Sequence, residues 1–166
     1  MKVVVNDENN IIVYINNFHV DKVIFKEKEE LEKYFLQLFN RLKKFYRIIL
    51  QGYYDIKVYI DKFYGIIIQM KRDSIDYCDY FGNQIDMRIT IEDNDSFLYH
   101  IDDIFSIDSK ILKKVNIIRY KNNFYVKIIK PLENMEFAKL LENSTIIYDY
   151  EVNNVLKKGK PLNVFS

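Results

Sequence analysis

Two short stretches with nearly the same pattern place the strongest constraint on the fold. Residues 59–69 read YIDKFYGIIIQ, and residues 120–130 read YKNNFYVKIIK. Each contains a Tyr, a short polar turn, a Phe-Tyr pair and an Ile-rich strand, which is the pattern of a β-hairpin. The repetition predicts that each hairpin forms the middle of one of two related α+β units, although convergent hairpin patterning would give the same similarity.

The segment before the first hairpin is predicted to contain two strands and a helix. β-Branched runs at residues 3–5 and 11–15 predict strands on either side of NDENN. Residues 27–46 predict an amphipathic helix, because five apolar side chains share one face: Leu31, Phe35, Leu38, Leu42 and Phe45. Glutamates near its start and basic residues near its end both favour the helix dipole.

The C-terminal part predicts a β-α-β-β-α-β order from residue 97. Its predicted elements are strands at 97–101, 115–120, 124–130 and 145–150, a helix from Asp102 or Asp103 to Lys114, and a helix at 133–142. This order is the split-βαβ, ferredoxin-like arrangement. We therefore expect an α+β protein with an N-terminal unit at residues 1–71, a linker at 72–84 where the periodicity ends, and a C-terminal unit at 85–166 that opens with a strand at 85–91.

Composition and charge exclude several classes of protein. The 166 residues carry a formal net charge of +1, which gives no electrostatic footprint for duplex DNA or for an anionic membrane. No apolar run approaches the length of a membrane span or a signal-peptide core. The single cysteine, Cys78, fits a reducing compartment. Abundant Ile, Lys, Asn and Tyr have AT-rich codons, so we expect a cytoplasmic protein of a low-GC bacterium.

The candidate catalytic side chains stand apart from one another. His19, His100 and Cys78 have no nearby partner in the sequence, and the Gly159–Pro161 stretch lacks the other residues of a phosphate-binding loop. The aspartates of KRDSIDYCDYFGNQ, residues 71–84, do not match an EF-hand loop. We therefore expect no catalytic residue, no metal and no cofactor.

Hairpin geometry places tyrosines together. A turn at residues 61–62 would pair Tyr59 with Tyr64, and a turn at residues 122–123 would pair Tyr120 with Tyr125, each pair on the face opposite a Phe. One interpretation is a half-buried sheet with Tyr at its margin. The other is an aromatic surface for a partner, which makes these four tyrosines the candidate binding residues. RNA binding is a further alternative, since aromatics on a β-α-β-β-α-β sheet are typical of an RRM, but FYVKI lacks the RRM signature.

Several stretches resemble one protein family. Residues 6–15 (NDENNIIVYI), 29–39 (EELEKYFLQLF), 97–105 (FLYHIDDIF) and 117–128 (IIRYKNNFYVKI), with a Gly-Lys at 159–160, are similar to the MecA-type adaptor proteins of Gram-positive bacteria, which serve the ClpC unfoldase. The chain departs from the family in its length, its brief linker and its ending PLNVFS, where the last helix of the family is missing or replaced.

The resemblance implies a non-enzymatic adaptor that delivers substrate proteins to an AAA+ unfoldase of the ClpC type. The N-terminal unit would recognise substrates, and the C-terminal unit would engage ClpC, a contact that the shortened C-terminus puts in question. ATP would be hydrolysed by the partner, so no cofactor is implied. The alternative functions are an RNA-binding module and an inhibitor of a single protein.

Overall fold

The computed structural model describes residues 1–16, 28–73, 85–92 and 96–163. The chain forms two compact units, one of Met1–Val58 with Gly65–Glu92 and one of Tyr59–Tyr64 with Asp93–Ser166. Each unit contains a five-stranded sheet. The α+β fold class predicted from the sequence is confirmed.

Among the described residues, the first unit contains a long helix and a five-stranded sheet. Its elements are β1 (Lys2–Asp7), β2 (Asn10–Asn16), α1 (Lys28–Tyr46), β3 (Gly52–Asp61, whose last three residues belong to the second unit), β4 (Gly65–Arg72) and β5 (Ile85–Glu92). The strands lie in the order β1-β2-β4-β3-β5, and β2 pairs antiparallel with both β1 and β4. The β-branched residues of β2 and β4 are buried, as expected for central strands.

The predicted boundary between the units is wrong. The strand predicted at residues 85–91 of the C-terminal unit is β5, an edge strand of the first sheet next to β3, and the second unit resumes at Asp93. Alternation of apolar and polar residues indicates a half-buried strand without indicating its pairing partner. Of the predicted linker, residues 74–84 lie outside the described residues, and Arg72 is the last residue of β4.

The second unit has the ferredoxin-like order with an added helix and strand. Its elements are β6 (Leu98–Ile101), a 3₁₀ turn (Ile104–Ser106), α2 (Ser109–Leu112), β7 (Val115–Tyr120), β8 (Asn123–Ile128), α3 (Asn134–Glu142), β9 (Thr145–Ile147), α4 (Tyr150–Lys158) and β10 (Lys160–Leu162). The antiparallel sheet runs β10-β7-β8-β6-β9. Without β10 this is the strand order of the split-βαβ fold.

Aspartate caps explain two differences from the predicted elements. The single helix expected up to Lys114 is divided, because Asp103 accepts a hydrogen bond from the Phe105 N–H and Asp108 accepts one from the Lys110 N–H, at 2.8 and 3.0 Å. Each cap starts a new short element. In the same way, the strand expected up to residue 150 ends at Ile147. Asp149 then caps α4, a helix that is absent from the elements predicted from the sequence.

Helices cover both faces of the second sheet. On one face the strands pack with residues of α2 and α3 in a core of Tyr99, Ile101, Ile107, Ile111, Val115, Ile117, Val126, Ile128 and Leu140. On the other face α4 supplies two valines to a smaller core of Leu98, Ile118, Tyr125, Val152 and Val155. The second unit is therefore a three-layer α/β/α arrangement.

A glycine allows the close approach of α4 to the sheet. Gly159 follows α4 and donates its N–H to the Val155 carbonyl at 2.8 Å. A Cβ at this position would lie 2.3 Å from the Ile118 Cγ2 atom and 2.4 Å from the Val155 carbonyl oxygen. Both distances are too short, so even a methyl group requires the chain to move.

We predict that Gly159→Ala lowers the free energy of unfolding by about 1–3 kcal/mol, because overpacking at a tight contact forces α4 and β10 from the sheet. Urea unfolding followed by circular dichroism measures this loss. Lys158→Ala is the matched control, since Lys158 is exposed and its change should stay within about 0.5 kcal/mol. Equal stability of Gly159→Ala and Lys158→Ala would contradict the close approach.

Candidate functional site

The tyrosines of the first hairpin are buried. The predicted turn at residues 61–62 is wrong: Asp61 is the last residue of β3, the turn spans 62–64, and Gly65 begins β4 with a φ of 124°. Tyr64 therefore lies in the turn instead of a strand. Tyr59 and Tyr64 are each 6% exposed, and both belong to the second unit.

The rings of these tyrosines pack on aromatic residues of the second unit. Tyr64 lies 5.7 Å from Phe97 and 6.2 Å from Phe137, between ring centroids. Tyr59 lies 5.0 Å from Tyr148. Aromatic pairs at these separations contribute to core packing beyond the area they bury.

The carboxylate of Asp61 organises this turn. Asp61 is 4% exposed, and its Oδ1 atom accepts hydrogen bonds from the N–H groups of Phe63 and Tyr64 at 2.8 and 2.6 Å. Its Oδ2 atom accepts a hydrogen bond from the Phe97 N–H at 2.9 Å. One buried side chain therefore satisfies three backbone donors, two in its own turn and one in a segment thirty-six residues further along the chain.

We predict that Asp61→Ala lowers the free energy of unfolding by about 2–3 kcal/mol, because it leaves buried N–H groups without acceptors. Asp61→Asn should lose less, since the amide oxygen can still accept from the turn while its NH₂ group faces the third donor. Chemical unfolding of both variants measures the series. Lys62→Ala, an exposed change in the same turn, is the control, and an Asp61→Ala variant as stable as that control would contradict the role of the carboxylate.

The second hairpin differs from the prediction in its turn. Lys121 and Asn122 form the turn, with φ angles of 48° and 63°, so Tyr120 pairs with Asn123 and Tyr125 pairs with Ile118. The two tyrosines still share one face of the sheet, but they are not direct cross-strand partners.

Tyr125 is part of the core beneath α4. It is 3% exposed, and its hydroxyl donates to the Glu151 Oε1 atom of α4 at 3.1 Å. Burial raises the pKa of this hydroxyl above its ordinary value. Tyr120 is half-buried and packs at the margin of the same cluster. The four tyrosines thus lie in or beside the cores of the second unit, and their role in partner binding stays a prediction.

Tyr99 carries a buried hydroxyl that has no hydrogen-bond partner among the described residues. The residue is 1% exposed in the core of the second unit. Burial raises the pKa of Tyr99 well above its ordinary value, and the nearby Asp61 carboxylate raises it further. The hydroxyl is therefore retained in its neutral form at a cost in stability.

We predict that Tyr99→Phe raises the free energy of unfolding by about 1 kcal/mol at neutral pH, because it removes an unpaired buried hydroxyl. A raised folded-state pKa also means that this tyrosine favours unfolding once the pH exceeds about 10, where the unfolded chain ionises first. The stability of Tyr99→Phe should therefore fall less steeply above that pH than that of the wild type. Tyr150→Phe, at a residue 78% exposed, is the control. A Tyr99→Phe variant with an unchanged alkaline slope would contradict the assignment.

A groove in the second unit is the best candidate for binding a partner. It measures about 390 Å³ and is lined by Phe105, Ser106, Ile107, Asp108, Ile111, Lys139, Leu140 and Asn143. Its apolar floor is buried, with Ile107, Ile111 and Leu140 each at 8% exposure or less. Its rim carries an ion pair between the Lys139 Nζ and Asp108 Oδ2 atoms at 3.6 Å.

Phe105 stands at the edge of this groove with its ring in solvent. It is 92% exposed, the highest value among the exposed large apolar residues of the described chain. Its turn is closed by the Asp103 bond to the Phe105 N–H and by the Ser106 hydroxyl, which donates to the Asp103 carbonyl at 2.6 Å. The ring is thus presented on an ordered turn, which suits an anchor for a protein partner. The sequence does not indicate this exposure, because the pattern of FLYHIDDIF predicts a strand that leads into a continuous helix.

Of the three isolated side chains that were considered as catalytic candidates, only His100 lies within the described residues. The Nδ1 atom of His100 lies 3.9 Å from Asp102, and its ring lies 5.3 Å from that of Tyr125. His19 and Cys78 lie outside the described residues. Within the described part of the chain, no group of three or more His, Cys, Asp or Glu side chains is arranged to hold a metal ion. The helices of that part are too short or too polar to cross a membrane.

Comparisons with known proteins do not assign the chain to a family. No protein-family model, no curated protein and no solved structure matches it.

Proposed function

We propose that the protein is a non-enzymatic cytoplasmic adaptor that delivers substrate proteins to an AAA+ unfoldase of the ClpC type. The observation that carries the proposal is Phe105, a solvent-exposed ring on an ordered turn beside an apolar groove of the second unit. A protein partner is the ligand class that such a ring fits, because aromatic anchors beside pockets dominate protein interfaces. The resemblance of this unit to the C-terminal unit of MecA-type adaptors supports ClpC as that partner.

The polar rim of the groove favours a partner with few charges at the contact. Lys139 and Asp108 already pair with each other. The Lys110 N–H bond, with a smaller contribution from Lys139, holds the pKa of the Asp108 carboxyl below its ordinary value, so this carboxyl is ionised at neutral pH. An ion pair at the rim helps to orient the partner, whereas the affinity comes from the apolar centre of the contact.

RNA binding on the second sheet is less well supported. An RRM stacks bases on an open sheet face. Here α4 covers the corresponding face, and Tyr125 is buried beneath it. The face could stack bases only if α4 moved away, so the adaptor is the function that the geometry favours.

We predict that Phe105→Ala weakens binding to a purified ClpC-type unfoldase roughly tenfold or more, as expected of an interface anchor. Its melting temperature should stay unchanged, because the ring is almost fully in solvent. Fluorescence anisotropy of the labelled full chain, titrated with unfoldase and ATP, measures the affinity.

Tyr150→Ala is the matched control for this experiment. Tyr150 is a 78% exposed aromatic of the same unit, and it lies on α4, which packs on the opposite face of the sheet from the groove. This variant should bind like the wild type. A wild-type chain that neither binds the unfoldase nor stimulates its ATPase would overturn the adaptor proposal, and equal affinities of Phe105→Ala and wild type would exclude the groove as the contact.

A further inference from the structure

The apolar face of α1 extends beyond the part of the helix that is buried. Phe35, Leu38 and Leu42 are at most 3% exposed. Helical periodicity places Phe45 and Tyr46 on the same side one turn later. Yet Phe45 is 68% exposed and Tyr46 is 39% exposed. Phe45 therefore shares the predicted apolar face of α1, but the core does not cover that end of the face.

The chain just after α1 adds a further apolar side chain and is held in place. Arg47 adopts a left-handed conformation with a φ of 55°, and the Ile48 N–H donates to the Leu42 carbonyl at 3.1 Å. This bond ends the helix and leaves Ile49 66% exposed. Phe45 and Ile49 therefore remain largely in solvent, and Tyr46 partly so, within five residues of ordered backbone, which is more than scattered surface exposure explains.

Cations surround these apolar side chains. Residues 41–49 read RLKKFYRII, with four basic residues and no acidic one, although the whole chain has a net charge of +1. On the helix surface Arg41 is a neighbour of Phe45, and Lys43 is a neighbour of Tyr46. The ion pairs found among the described residues involve none of the four basic side chains. We name this surface the α1-end patch, formed by Arg41, Lys43, Lys44, Phe45, Tyr46, Arg47 and Ile49.

We propose that the α1-end patch binds acidic protein segments that carry apolar side chains. The charge complementarity is direct, since four cations that form no ion pair with an acid of the described residues attract a run of Asp and Glu, while Phe45 and Ile49 offer apolar contact area. The proposal rests on the adaptor function and gives the class of substrate that the first unit would recognise.

Two observations favour a protein segment over other anionic partners. The Lys44 Nζ atom lies 5.3 Å from the centroid of the Phe45 ring, so a face of the ring is already occupied by a cation instead of being free for a base. The Tyr46 hydroxyl donates to the Met1 carbonyl at 3.4 Å, which directs this ring toward the protein and not toward a lipid surface. Peptide side chains need neither a free ring face nor a deep apolar insertion.

The test uses the full chain and a fluorescent peptide in which glutamates alternate with leucines and phenylalanines. The peptide should bind, and Phe45→Ser and Lys44→Glu should each weaken binding roughly tenfold. Raising the salt concentration should weaken wild-type binding, because the cations are exposed. Leu36→Ser and Lys33→Glu are matched controls on the same helix, since Leu36 is 51% exposed and Lys33 is exposed, and both should bind like the wild type.

Peptide controls and competing ligands complete the test. A peptide with lysines in place of glutamates, and one with serines in place of the apolar residues, should not bind. Circular dichroism confirms that each variant is folded, and Ile49→Ser replaces Phe45→Ser if the latter is not. Equal binding of the basic peptide, full binding by both patch variants, or a preference for oligouridylate or phosphatidylserine vesicles would overturn the proposal.

The outcome of the peptide test can be distinguished from the outcome of the unfoldase-binding test. If the unfoldase binds the chain but the acidic peptide does not, the α1-end patch proposal fails and the adaptor stands. If the peptide binds through the patch but the unfoldase does not, the patch stands and the adaptor fails.

Discussion

The hydrogen bonds of Asp61 join two separated parts of the chain into one core. The side chain accepts from Phe63 and Tyr64 within its turn and from Phe97, which precedes β6. A buried carboxylate is costly unless its oxygens are hydrogen-bonded, and here three backbone donors surround it. The aromatic packing of Tyr64 on Phe97 depends on the same geometry. The second unit is therefore discontinuous in sequence, and residues 59–64 belong to its fold as fully as its strands do.

The C-terminal helix changes what the ferredoxin-like sheet can do. An antiparallel sheet with helices on a single face leaves its other face open to solvent or ligands. In this chain Asp149 starts α4, Val152 and Val155 fill the open face, and Gly159 lets the chain turn close to Ile118. The tyrosines of β7 and β8 consequently serve packing, and the surfaces available to partners lie outside the sheet.

The helices and strands of this fold could be predicted from the sequence more accurately than the pairing of the strands. The register of the second hairpin is an example. Its turn lies one residue earlier than predicted, which shifts the register by two residues and therefore keeps Tyr120 and Tyr125 on their predicted common face. The existence of two hairpins and the helix at 28–46 followed from local periodicity. The place of β5 in the first sheet did not, because strand pairing is a non-local choice that alternation does not encode. Asp108 and Asp149 are cap residues visible in the sequence, but periodicity favours an uninterrupted helix at the first and an uninterrupted strand at the second.

The exposure of the candidate binding residues could not be predicted, because the presence of an aromatic residue in a sequence does not indicate whether its side chain is buried. Tyr59, Tyr64 and Tyr125 fill cores, whereas Phe45 and Phe105 reach solvent. Each of the two exposed rings sits on restrained backbone, Phe45 in the last turn of α1 and Phe105 in the turn held by Asp103. Restraint of this kind reduces the entropy lost when a partner binds. An exposed ring on a mobile loop would lose that advantage, and a ring in a core contributes its area to folding instead. The combination of exposure with ordered backbone is therefore the physical reason to look for partners at Phe45 and Phe105, and it is available only from the three-dimensional structure.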